Sequence, residues 1–276
     1  MKDKKSLSKN IKWNKKISSG GFADIYPIYD RGKQIIAVAK VSRIEKGQYR
    51  ELSDFYRNEV KMLKRFKDVP TIVNIIDNGF VYHRGVKSPV IYLDYVPGVC
   101  LHKYIRRQKR DLQDFAKAIA DIAELLLYFE AEKVIYRDMK SANIIYSLSD
   151  IVGTGKTTLI DFNLSIDQKD NNLIELTGTK EYFSPEQATG KKITTKTDIF
   201  SLGGIVYEYY TKRYPSLLNR KLSPFKKTIE KIIDEVHVSG CPDNLLDAVK
   251  IAMRYEPSER SALPLMEACS EIAKGN

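Results

Sequence analysis

Along the chain the apolar positions fall first in short runs and later in helical stripes. Ile11 to Ile17, Ile25 to Tyr29 and Ile35 to Val41 are strand-like. The small, polar stretch Ser18-Ser19-Gly20-Gly21-Phe22-Ala23-Asp24 separates the first two runs, and the turn residues Asp30-Arg31-Gly32 separate the next two. Strand, glycine loop, strand, turn, strand predicts an antiparallel meander. Residues 50–67 change period, with Leu52, Phe55, Met62 and Phe66 on one face of a helix and Glu59 on the same stripe. A carboxylate on an apolar stripe is costly unless paired. Ile72 to Ile76, Phe80 to Tyr82 and Val90 to Tyr95 predict three more strands, with a turn at His83-Arg84-Gly85. The last run meets Val96-Pro97-Gly98, where Pro-Gly ends a strand and marks a domain boundary. Residues 1–10 are expected as a polar arm.

Beyond the boundary the pattern turns helical. Leu112 to Glu130 sets Phe115, Ile119, Ile122, Leu126 and Phe129 on one face, a stripe that reads as core rather than as a cofactor site. Apolar pairs, Val134-Ile135 and Ile144-Ile145, then bracket Tyr136-Arg137-Asp138-Met139-Lys140-Ser141-Ala142-Asn143, and Leu159-Ile160 delivers Asp161 to a turn. Two strand-like segments that each end in a carboxylate suggest a place where acids meet a metal and a nucleophile. Gly153-Thr154-Gly155-Lys156-Thr157-Thr158 approaches a P-loop, but Asp150 stands where that motif needs glycine, so a hairpin tip is expected there. Asp198 is expected to N-cap an apolar, buried helix that follows it.

One aspartate in a loop says little, since Asp is a common turn residue. Asp138-x-Lys140-x-x-Asn143 followed by Asp161-Phe162 says more, and it resembles the catalytic and metal-binding loops of protein kinases. The remaining motifs stand in the same order. Ser18, Gly20, Ala23 and Ile25 resemble the phosphate-covering loop, with Ser18 and Ala23 in two glycine places. Lys40 matches the lysine of V-A-I-K. Gly178-Thr179-Lys180-Glu181-Tyr182-Phe183-Ser184-Pro185-Glu186 resembles G-T-x-x-Y-x-x-P-E. Thr197 to Gly203 resembles the D-x-W-S-x-G helix start, and Tyr255 to Arg260 resembles D-P-x-x-R. From about residue 12 to 273 the chain resembles the eukaryotic-like, bacterial-type serine/threonine protein kinases.

The resemblance implies an α+β, bilobal fold: a small antiparallel β-sheet N-lobe with one main helix at 11–93, a hinge at 94–98, and a larger, mainly α-helical C-lobe at 99–276 with its activation segment at 161–186. It implies ATP and Mg²⁺, with Mn²⁺ as a substitute ion. Asp138 would accept the proton of the substrate hydroxyl, and Lys140 would neutralise the transferring phosphoryl group. Asn143 and Asp161 would hold the metal as hard oxygen ligands. Lys40, braced by Glu59, would hold the α- and β-phosphates under Ile17, Ser18, Ser19, Gly20, Gly21, Phe22 and Ala23. Ile25, Val38 and Ile145 would sandwich adenine, Leu93 would be the gatekeeper, and the backbones of Asp94 and Val96 would bind the adenine edge. Lys140 and Thr179 point to serine and threonine substrates in proteins, the chain itself among them. Arg137 would answer a phosphate at Thr177 or Ser165, and Glu186, Asp198 and Arg260 have structural roles. Three departures stand out: Tyr136 in the histidine place, Asn163 in the glycine place after Asp161-Phe162, and the altered glycine loop. They leave a pseudokinase, or a nucleotide-binding regulatory module associated with DNA or RNA, as the alternative.

Composition changes this picture little. The 276 residues carry a net charge of +11, a balance that suits nucleic acid, acidic protein or anionic lipid, yet no nucleic-acid motif accompanies it and a solvated lysine-rich surface explains it. Cys100, Cys241 and Cys269 make no Cys-x-x-Cys pair, as expected of reduced cysteines in a cytoplasmic protein. No apolar run approaches the roughly 20 residues needed to cross a bilayer, so no membrane insertion is expected.

Overall fold

The structure, a computed structural model, describes residues 4–30, 34–43, 49–83, 85–147, 155–170, 177–219 and 224–275. The chain falls into two units, Met1–Pro97 joined by Asp161–Asn163, and Gly98–Ile160 with Leu164–Asn276. The first is built on an antiparallel sheet and the second is mainly helical, an α+β combination.

The first unit's sheet has the order β1 (Ser18–Ser19), β2 (Ala23–Tyr29), β3 (Ile35–Ser42), β5 (Val86–Asp94), β4 (Ile75–His83). Side chains alternate between the faces of a strand, so β3 divides its residues cleanly. Ala37, Ala39 and Val41 are buried on one face, while Val38 and Lys40 are half-buried on the other. The first face is closed by the segment expected as a polar arm. Residues Lys4–Lys9 form helix α1, and Leu7 and Ile11 are buried against Ile28, Ala37, Ala39 and Val90. A single leucine among lysines gives no periodic signal, which is why this helix was not expected. Helix α2 (Tyr49–Arg65) packs on β4 and β5, with Met62 and Leu63 buried. The side chain of Leu52, expected on this helix's apolar face, lies outside the described residues.

Three expected strands differ. Ile11 to Ile17 is interrupted by a turn in which Lys15 N–H donates to Lys12 C=O at 3.0 Å, leaving an isolated bridge at Ile11–Ile28 and a short β1. The runs at 72–76 and 80–82 belong largely to one strand, β4. It begins at Ile75 and absorbs the polar Asp77-Asn78-Gly79 by an irregularity in its pairing with β5.

In the second unit, helices α3 (Leu101–Ile105) and α4 (Leu112–Ala131) come first. The Asp111 side chain caps α4 by accepting from Gln113 N at 2.6 Å. Helix α5 (Pro185–Ala188) opens with a capping box from Ser184 and Gln187. Helix α6 (Lys196–Thr211) is buried on all sides from Thr197 to Tyr209. Gly203 makes that possible, because a Cβ there would stand 2.6 Å from Met253 Cγ. Helices α7 (Phe225–Val238), α8 (Asp243–Ala252) and α9 (Leu263–Ala273) complete the bundle, with α9 packed along α4. Small antiparallel ladders join β6 (Val99–Cys100) to β8 (Ile144–Ser147), β8 to β9 (Lys156–Leu159), and β7 (Val134–Ile135) to β10 (Ile166–Asp167). Lys156, Thr157 and Thr158 therefore sit in a strand and precede no helix, unlike a P-loop; 148–154 lie outside the described residues.

Candidate active site

In the first unit the site residues collect on one face of the sheet. Directly paired residues of an antiparallel ladder share a face. Ile25 pairs with Lys40, Lys40 with Ile91, and Val38 with Leu93. This is the face turned away from Leu7. Lys40 Nζ reaches both oxygens of Glu59, at 2.6 and 2.7 Å, and Asp161 Oδ1 at 2.6 Å. Burial works against the charge on Lys40, but the two carboxylates outweigh it and hold its pKa above the ordinary value. Burial raises the pKa of Glu59, against the pull of Lys40 and with the help of Asp161. One cation thus faces two carboxylates, a surplus of negative charge that suits a divalent ion with hard oxygen ligands.

Asp161 sits at φ +68, in the left-handed region that Asp tolerates better than most residues. Asn163, in the glycine place, is not at positive φ, and its C=O accepts from Asn58 Nδ2 at 3.1 Å. Phe162 is fully buried, and its N–H donates to Glu59 at 3.3 Å. Ile17 and Phe22 of the glycine loop are exposed, as are Ser18, Ser19, Gly20 and Gly21, while Ala23 is buried. Asp94 N–H donates to Asn74 C=O at 3.0 Å, and Val96 is half-buried.

In the second unit Asp138, in the 136–143 loop, is held from three sides. Lys140 Nζ donates to Asp138 Oδ2 at 2.6 Å, Asn143 Nδ2 to the same oxygen at 3.1 Å, and Thr179 Oγ1 to Oδ1 at 2.7 Å. Lys140 also donates to Thr179 Oγ1 at 2.7 Å. The loop is suspended from Asp198, whose two oxygens accept from Tyr136 N–H at 2.8 Å and Arg137 N–H at 2.9 Å. Asp198 is therefore not the N-cap of its helix; Thr195 holds that position, and the carboxylate is spent on the loop. Burial pushes Asp198 up to about 7 against those two hydrogen bonds. The Tyr136 hydroxyl donates to Ile160 C=O, and Ile145 lies half-buried in β8.

Arg137 donates through Nη2 to Thr177 Oγ1. Ser165, the other expected phosphate acceptor, is fully buried and donates to Tyr136 C=O at 3.3 Å, so its hydroxyl cannot be approached in this fold. Positions 171–176 lie outside the described residues. Glu186 and Arg260, 74 residues apart, form a bidentate pair at 2.6 and 2.9 Å, and Thr197 adds a bond at 2.8 Å. Burial would raise the pKa of Glu186, but Arg260 and Thr197 hold it below the usual carboxylate value.

A second network escaped the sequence reading. Glu208 is fully buried on α6 and accepts from Tyr182 Oη at 2.5 Å and from Arg106; Tyr182 Oη also lies 3.1 Å from Ser141 Oγ, beside Lys140. The available signal was an acid inside an otherwise apolar helix.

With this geometry in place, a family model described as a protein kinase domain matches residues 11–272. The chain belongs to that family. Among curated relatives of this kinase chain, a probable serine/threonine-protein kinase of Streptomyces coelicolor is 26% identical over 207 residues, 72% of this chain and 30% of the relative. Aurora kinase A-B of Xenopus laevis is 27% identical over 257 residues, 90% of this chain and 58% of that one. The Aurora kinase of Schizosaccharomyces pombe is 26% identical over 260 residues, covering 90% and 67%. The chain spans under a third of the Streptomyces protein and little more than half of the Xenopus one. The family implies ATP and a divalent metal. Among the described residues no helix is long and apolar enough to cross a membrane.

Proposed function

We propose that the protein is an ATP-dependent serine/threonine protein kinase. The observation that carries this reading is the Asp138 carboxylate, held at once by Lys140, Asn143 and Thr179. Phosphoryl transfer asks the protein mainly for positioning and charge stabilisation. Asp138 takes the proton as the substrate hydroxyl oxygen bonds to the γ-phosphorus and the bond from that phosphorus to the β-phosphate oxygen breaks, leaving ADP. Lys140 stabilises the charge on the moving phosphoryl group. Lys40, fixed by Glu59, holds the α- and β-phosphates. Ile25, Val38, Leu93 and Ile145 supply apolar contact for adenine, and the backbones of Asp94 and Val96 meet its polar edge.

Asn143 and Asp161 would hold Mg²⁺, or Mn²⁺, through their oxygens, and the bound ion would neutralise phosphate charge. The surplus carboxylate around Lys40 fits a cation there.

The substrates are protein hydroxyls, the chain's own Thr177 among them. Its hydroxyl already meets Arg137, a partner that would pair with the phosphate once formed. A cytoplasmic location fits the three free cysteines.

The test is transfer of labelled phosphate from ATP with Mg²⁺ to generic basic and acidic proteins, beside Asp138→Asn. Loss of the positioned base should lower turnover about 10²- to 10⁴-fold. Equal labelling by both proteins overturns the assignment. ATP binding without labelling by wild type leaves a nucleotide-binding module.

A further inference from the structure

Arg43 stands three residues beyond Lys40, just past the end of β3, and no motif points to it. Its side chain turns back to the glycine loop. Nη2 donates to the carbonyl oxygen of Gly20 and, at 2.8 Å, to that of Gly21, while the Arg43 amide donates to Phe22 C=O at 2.9 Å. One residue thus grips three successive carbonyls of the loop tip.

A trans peptide unit is planar, so its C=O and N–H point in opposite directions. None of the described peptide bonds is cis. The carbonyl of Gly20 shares a plane with the amide of Gly21, and the carbonyl of Gly21 with the amide of Phe22. Holding both oxygens from one side therefore turns the Gly21 and Phe22 N–H groups toward the other. A cation on the oxygens also polarises both peptides and makes those amides stronger donors. Successive amides aimed one way are a site for an anion.

The loop is braced from its base as well. Ser19 Oγ donates to Asp24 Oδ1 at 2.6 Å, and Lys16 Nζ reaches the same oxygen at 3.3 Å. Asp24 is buried, and Phe22 packs on Phe55 with ring centroids 5.1 Å apart. The loop is held by its surroundings although Ser18 and Ala23 replace two glycines.

We infer that Arg43 is a positioning residue for phosphate recognition: it orients and polarises the Gly21 and Phe22 amides as donors to the phosphates of the nucleotide. This rests on the kinase reading above. It distinguishes Arg43 from Lys40, which would meet phosphate directly.

The test separates phosphate binding from nucleoside binding. Dissociation constants for ATP with Mg²⁺ and for adenosine are measured on wild type, Arg43→Met and Arg43→Lys, with KM and kcat alongside. Arg43→Met should weaken ATP about tenfold, equal to about 1.4 kcal/mol, and leave adenosine within about twofold. KM for ATP should rise more than kcat falls, and Arg43→Lys, which keeps a charged donor, should lie between. Equal affinity of Arg43→Met and wild type for ATP, or equal loss of ATP and adenosine, overturns the inference. Should Arg43→Met unfold, Arg43→Gln, which loses the charge and keeps a neutral donor, should weaken ATP by less and spare adenosine, and equal affinity for ATP again overturns the inference. Wild type that binds no ATP overturns the kinase reading with it, whereas ATP bound equally well by wild type and variant overturns the Arg43 assignment alone.

Discussion

Glu186 and Arg260 meet through two hydrogen bonds, with the guanidinium wholly buried. Removing one member of such a pair leaves the other charge in a medium that cannot solvate it. Arg260→Met should therefore cost about 3–5 kcal/mol of stability, read from chemical denaturation. Asp198 gives a pH dependence whose sign follows from its surroundings. Its folded-state pKa stands at about 7, against an ordinary value of 3.8. Between those values the folded chain binds a proton that the unfolded chain has lost, so this group's contribution to stability falls as pH rises through the window. Asp198→Asn should flatten the slope between those two pH values. A slope unchanged by the substitution would assign the pH dependence to other groups.

At the scale of elements, helix α1 shows how little sequence a structural part can need. Its weight rests on Leu7, buried over the alanines of the central strand. Leu7→Ala should destabilise the protein by about 2–5 kcal/mol, measured as a shift in denaturation midpoint. An unchanged midpoint would mean that the sheet tolerates this face uncovered. The two periods, alternation in β3 and the helical stripe on α2 and α4, were legible because each places several apolar residues on one side. α1 has one such residue, and the bend after Lys12 breaks a run that looks continuous by composition. Capping was legible only in part. An acid near a helix start is equally able to serve that helix or a neighbouring loop, and Asp198 serves the loop.

For the molecule as a whole, the order of motifs made the family legible, since phosphoryl transfer demands fixed residue types at fixed spacings in a chain of this kind. What spacing could not convey was burial and orientation. Ser165 and Thr177 looked alike as hydroxyls, and burial separates them. Asn163 stands out by sequence as the replaced glycine, yet the left-handed residue is Asp161, two positions earlier. Glu208 and Arg43 act through partners distant in sequence, Tyr182 and Arg106 for one and the glycine loop for the other, and no local pattern announces such pairs.

The Glu186–Arg260 pair also sets an order in time. A growing chain offers Glu186 to its surroundings 74 residues before its partner has been made. At about 5–20 residues per second that interval is roughly 4 to 15 s. Through it, the Ser184-Pro185-Glu186 turn lacks the arginine on which it closes in the folded protein. A nascent kinase is in this sense held incomplete until one arginine, 74 residues beyond Glu186, has been added.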